Sequence, residues 1–287
     1  MKKRIGVAVS LAVLLAASTY PQTTDFFDLA KTGTPQSVQA AISQGADVNA
    51  RDKDGSTPLM SAAQFNESPA VVTTLLKAGA DINAGDKNGV TVLMYAAGGN
   101  RNPEVITALL KADAVINARD KNGETALMWA AWNNQNPAVI TTLLKAGADI
   151  NAMDKDGWTA LIYAAARNQN PAVITTLLKA GAKIEVQDTT YGATALQYAA
   201  RYNQNLDVIT ALLKAGADLK ARDKAGGTPL IGAASNNQNP EVTMTLLKAG
   251  ADAKAKDSAG KIAFDYAQDN EALKGTDAYQ KLEEASK

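Results

Sequence analysis

Apolar residues in this chain follow two alternating patterns. In the stretch that opens at Thr57, Leu59, Ala62 and Ala63 share one helical face, and the small residues let a neighbouring helix approach closely. Further on, Val71, Val72, Leu75 and Leu76 form the apolar stripe of a second helix. Thr57-Pro58 supplies an N-cap candidate followed by proline at the first helical position. Ser68-Pro69 starts the second helix by the same device, repeated at Asn102-Pro103, Asn136-Pro137, Asn170-Pro171 and Asn239-Pro240. Lys77 falls in the last turn, where the helix dipole favours a cation, and Gly79 suits a left-handed cap. Asp81-Ile82-Asn83-Ala84 then extends outward and turns at Asp86-Lys87-Asn88-Gly89. The pattern predicts a unit of helix, turn, helix and β-hairpin.

The unit recurs. Gln135 to Ala148 reads QNPAVITTLLKAGA, and the same fourteen residues return from Gln169 to Ala182, 34 positions later. Thr-x-Leu stands at Thr57, Thr91, Thr125, Thr159, Thr194 and Thr228, in steps of 34, 34, 34, 35 and 34. The longer step comes from Asp188-Thr189-Thr190-Tyr191-Gly192, one residue longer than Asp154-Lys155-Asp156-Gly157. A chain of 287 residues is therefore one repeat array, where length alone suggests two domains.

A TPLxxAA opening and an LLKAGADINA closing at this spacing resemble the ankyrin repeat, across about residues 25–287. The resemblance implies an all-α curved solenoid, with a helix-turn-helix and a β-hairpin in each repeat of about 34 residues. First helices and hairpins would line its concave face. The chain departs from the family where His usually follows TPL: Met60, Met94, Met128, Ile162, Gln197 and Ile231 hold that place. Repeat-to-repeat cohesion is therefore expected to rest on apolar packing more than on a polar network. The usual period is 33, and the additional residue falls in the inter-helix loop, as at Asn134-Gln135-Asn136. Asp113 replaces the glycine found at Gly79, Gly147, Gly181, Gly216 and Gly250, which predicts a strained left-handed residue.

At the N-terminus, Met1-Lys2-Lys3-Arg4 precedes a short apolar run, Ile5 to Ala17, and then small residues. That order reads as a secretory signal over residues 1–18, with a short linker over 19–24. The run is short for a membrane span, so a retained anchor is the weaker reading. With the signal, the chain resembles the exported ankyrin proteins of bacteria, periplasmic or secreted. Residues 25–56 form an N-terminal capping unit without the Thr-Pro opening, residues 57–261 six internal repeats, and the charge-rich residues 262–287 a C-terminal cap. Two caps favour a monomer.

Composition narrows the chemistry. Without Cys or His, thiolate sites, zinc-histidine sites and Ser-His catalysis are excluded. Lys+Arg and Asp+Glu both number 29, and loss of the three basic residues at the start leaves 26 − 29 = −3. Lys53, Lys87, Lys121, Lys155 and Lys224 line up along the turns beside Asp52, Asp86, Asp120, Asp154 and Asp223, so their fields cancel and nucleic-acid binding is disfavoured. Asp52-Lys53-Asp54-Gly55 has its glycine too early for a calcium loop and reads as a turn. Asp/Glu pairs or a Ser-Lys dyad remain open to catalysis, but charges that recur with the repeat are not a singular constellation. No catalytic, cofactor or metal residues are assigned.

Positions that vary between otherwise near-identical units are free for recognition. Those after the turn glycine include Glu124 and Trp158, and those after the Ala-Ala pair include Phe65, Trp132, Asn133, Arg167, Arg201 and Tyr202. With Tyr191, they form the candidate partner-binding face, rich in the aromatic and Arg residues of binding hot spots. A second column, Tyr95, Trp129, Tyr163, Tyr198 and Tyr266, reads as packing between the two helices of a unit. The expected function is a non-catalytic protein-interaction scaffold in the periplasm. A secreted effector acting on a host protein, and less favourably a periplasmic hydrolase, are the alternatives.

Overall fold

Side-chain oxygens start the helices. Thr57 accepts from the Met60 backbone N–H at 3.3 Å and holds α3 (Pro58–Phe65) at its first turn. Asn102 does the same for α6 (Pro103–Lys111), accepting from Glu104 N–H at 2.9 Å. Asn205 caps α12 (Leu206–Lys214) in this way without a following proline. Ser68, by contrast, makes no side-chain capping bond to α4 (Pro69–Lys77), which relies on its proline alone.

The computed structural model describes residues 24–287, so the signal-peptide reading of 1–18 and nearly all of the 19–24 linker lie outside the described residues. The helices come in pairs, beginning with α1 (Thr24–Thr32) and α2 (Pro35–Ser43), then α3 and α4. α5 (Val92–Gly99) pairs with α6, α7 (Ala126–Asn133) with α8 (Pro137–Lys145), and α9 (Ala160–Arg167) with α10 (Pro171–Lys179). α11 (Ala195–Tyr202) and α12 follow, then α13 (Pro229–Asn236) and α14 (Pro240–Lys248), and last α15 (Ala263–Ala267) and α16 (Asp277–Ser286).

The expected β-hairpins are not strands. Among the described residues the sole bridge named outside helices joins Gly85 and Thr91. The turn instead closes on its own aspartate: Asp86 Oδ1 accepts from Asn88 N–H at 2.7 Å and Val90 N–H at 2.9 Å. Thr91 then caps α5 at once, which leaves no room for a ladder. Turns bond to one another along the array, as Lys87 N–H does to the Asp54 carbonyl at 3.0 Å.

The first helices of successive pairs pack against each other more closely than the second helices do. Alanine pairs explain this: Ala62 and Ala63, Ala96 and Ala97, Ala130 and Ala131 are fully buried. The second helices stand further apart, leaving an open groove between α4 and α6 lined by Thr73, Leu76 and Thr107. Closer spacing on one side bends the array towards the first helices, which therefore line the concave face.

Cohesion between repeats is more polar than the missing histidines suggest. Asn66, Asn100, Asn134, Asn168, Asn203, Asn237 and Asn270 are all buried at the end of a first helix. Each amide donates twice to the preceding unit; Asn134 Nδ2 reaches the carbonyls of Ala97 at 2.9 Å and Asn100 at 2.7 Å. Its Oδ1 accepts from Asn136 N–H at 2.9 Å, so the side chain makes two bonds to the preceding unit and one within its own loop. Apolar packing in place of the His network is thus joined by an asparagine ladder that the expectation did not include. At the histidine position Met60 turns its sulfur to Thr57 N–H within its own unit, while Gln197 does link neighbours through the Gly227 carbonyl at 2.7 Å.

Asp113 adopts φ 64°, the one non-glycine among the described residues with positive φ. Its backbone makes the same closing bonds as Gly79, so the strain is that of a Cβ in left-handed backbone. Asp113→Gly is expected to stabilise the protein by about 1 kcal/mol, and an unchanged or lower melting temperature would refute this. Asn134→Ala should cost about 3 kcal/mol, because two buried helix-end carbonyls lose their donors. Urea denaturation reads that loss directly.

Candidate partner-binding face

Most of the variable positions come together on the concave side. Phe65, Asn133, Arg167 and Tyr202 each end a first helix, one unit apart or a multiple of it, and all four are exposed. Tyr202 is 52% exposed and Tyr191, on the turn of the same unit, 64%. Arg201 lies over the Tyr202 ring, 5.6 Å from its centroid, and donates from Nε to Asn236 Oδ1 at 3.0 Å.

The aromatic residues form one connected arm. Trp132 stacks on Tyr163 at 5.4 Å, Tyr163 meets Trp158 at 5.1 Å, Trp158 meets Tyr198 at 4.4 Å, and Tyr198 stacks on Tyr202 at 6.3 Å. Such pairs add stability beyond their buried area and hold the rings rigid. Phe65 stands several units away and takes no part in the arm.

Two residues of the second aromatic column, Tyr163 and Tyr198, are buried links of this arm. The column's hydroxyls point to the turns: Tyr95 donates to Asp86 Oδ2 at 2.8 Å, Tyr163 to Asp154 Oδ2 at 2.7 Å and Tyr198 to Asp188 Oδ2 at 3.1 Å. Tyr266 makes the same bond to Asp257. At these four positions the column ties a first helix to the turn before it, and its rings pack as expected: Tyr163 and Tyr198 are buried in the core, and Tyr95, Trp129 and Tyr266 pack against it. Trp129 has no hydroxyl to donate, and its buried Nε1 finds no acceptor among the described residues. The step from turn Asp to column Tyr, nine residues and ten at Asp188–Tyr198, was visible in the sequence but carried no meaning until the turn folded back.

Glu124 departs most from the expected exposed role. It is buried, and its Oε1 lies 2.7 Å from the Tyr163 hydroxyl, which also contacts Asp154. Burial pushes the Glu124 carboxyl above its ordinary value, with Asp120 and Asp154 adding to the shift and the Tyr163 hydroxyl opposing it. Burial and the two carboxylates likewise push the Tyr163 phenol well up. One phenol proton cannot serve two carboxylates fully.

The five turn lysines are all exposed, and two of them bond back to the preceding turn. Lys87 donates from Nζ to the Lys53 carbonyl at 2.6 Å, and Lys224 to that of Thr189 at 2.5 Å. Among the described residues no group of three acidic side chains is placed to hold a metal ion, and no helix is long and apolar enough to cross a membrane.

A family model for ankyrin repeats matches three times, over residues 26–120, 66–154 and 127–223. The chain belongs to the ankyrin repeat family. No curated protein matches it. Ankyrin repeats form a protein–protein interaction module, and such proteins are generally non-catalytic scaffolds.

A carboxyl with a raised folded-state pKa opposes folding increasingly as pH rises above its unfolded value, near 4.5, and ceases to matter below it. Glu124→Gln keeps an acceptor for Tyr163 and removes the buried charge. It should raise stability at neutral pH, with the gain fading towards pH 4. Thermal melts of both proteins across that range test this, and a pH-independent difference would contradict it.

Proposed function

We propose that this ankyrin protein is an exported, non-catalytic scaffold that holds a partner protein against its concave face in the bacterial periplasm. The observation that carries the reading is the aromatic arm from Trp132 to Tyr202, edged by Arg201 on the same face. The exposed Tyr202 ring, held against the buried Tyr198 and flanked by the Arg201 guanidinium, gives contact area at low entropic cost, the composition of a binding hot spot. The basic and apolar residues at the start of the chain support export. A single copy suffices, because recognition lies within one array and each end has its own cap.

Trp158 is half-buried between two tyrosines, so its truncation disturbs the scaffold as well as the surface. Arg201 and Tyr202 are exposed and separate the two effects. Capture of a periplasmic partner should weaken at least about thirtyfold in Arg201→Ala/Tyr202→Ala, with the melting temperature kept within a few degrees. Undiminished capture would remove this face from consideration. Cell fractionation that recovers the protein from the medium would transfer the function to an extracellular target.

A further inference from the structure

Four turn aspartates are each satisfied by a phenol of the aromatic column, donated to Oδ2. In the unit that contains α13 the corresponding pair is Asp223 and Gly232, nine residues apart like Asp86 and Tyr95. Asp223 Oδ1 accepts from Ala225 N–H at 2.9 Å and Gly227 N–H at 2.7 Å, and among the described residues no donor reaches its Oδ2. Gly227 stands where other units carry Glu124 or Trp158, and the two glycines coincide in this unit alone. Together they open a cavity of about 410 Å³, lined by Tyr198, Tyr202, Asp223, Gly227, Gly232 and Tyr266. That size lies within the roughly 300–1,000 Å³ of ligand pockets.

The backbone does not demand glycine at 232. A Cβ there would meet nothing nearer than the Arg201 Cβ at 3.6 Å. At 227 a Cβ would come within 2.8 Å of Asp223 Oδ2, so that glycine makes room for the carboxylate.

We propose that this cavity receives an unmodified tyrosine side chain of the partner, which completes the column from outside. Its ring packs between Tyr198 and Tyr266, and its hydroxyl donates to Asp223 Oδ2, repeating the bond that four internal tyrosines make. Asp223 and Asp257 both line the cavity and repel a phosphorylated tyrosine. Arg201 and Lys224, also on its lining, suit acidic residues beside that tyrosine. The inference rests on the interaction function above and names the group recognised.

The test titrates N-acetyl-tyrosinamide into the full-length protein and follows backbone amide shifts. Shifts at Tyr198, Gly227 and Gly232 are expected, with the phenylalanine and phosphotyrosine amides at least about tenfold weaker. Gly232→Tyr fills the slot with its own phenol, and should abolish the response while raising the melting temperature. Asp223→Asn keeps the Oδ1 acceptor of the turn and should weaken binding at least about tenfold. An absent response, an equal response to the phenylalanine amide, undiminished binding by Gly232→Tyr, or preference for tetramethylammonium would overturn the assignment. Failure with this small probe strikes the slot alone, whereas partner capture indifferent to Arg201 and Tyr202 strikes the wider face.

Discussion

The array depends on how closely its first helices can approach, and one buried amide per unit makes that approach tolerable. Alanine pairs bring the helices together, but doing so shuts water out from the carbonyls at their C-terminal ends. Those carbonyls have no partner within the helix. An asparagine from the next unit supplies two donors to each pair, as Asn100 does for Ala63 and Asn66 at 2.9 Å. Each asparagine thus caps its neighbour's helix and, through Oδ1, shapes its own loop. Stability propagates from unit to unit because no first helix is satisfied without the unit that follows it.

The same alternation sets up the concave face. Since the first helices are close, the turns that precede them are also close, and each donates a backbone bond to the turn before it. At four of the turn aspartates, tyrosines one helical turn into the first helices provide a donor. The result is a rigid wall of rings whose orientation is determined by hydrogen bonds to the turns. Where the wall carries Glu124 it stores a buried carboxyl, and where it carries Gly227 and Gly232 it leaves a slot. Sequence variation within a uniform scaffold becomes local chemistry on one surface.

Much of this was legible from residue spacing. The repeat of 34, the Thr and Asn caps, the alanine faces and the left-handed place of Asp113 all follow from local rules that need no tertiary contacts. Other readings failed for a common reason. Glu124 was taken as exposed and the hydroxyl bonds of the tyrosine column were not foreseen, because each depends on where a neighbouring turn lies. The asparagine ladder was equally visible as a period, yet an asparagine in a polar loop looks like any other until its neighbour's helix end is brought against it. The β-hairpins gave way because the turn aspartate captures the amides that a ladder would use.

By itself, the sequence determined that this chain is a helical repeat array, where its helices begin and end, and that Cys and His chemistry has no place in it. Periodicity and capping are short-range effects, complete within a dozen residues. The tertiary structure decided which polar side chains are buried, which rings touch, and which carboxylates take a phenol donor. Those outcomes join residues 30 or more positions apart, as Asn134 joins Ala97 and Tyr163 joins Glu124. Stacking one unit on the next brings such groups within hydrogen-bonding distance, and only then does their chemistry exist.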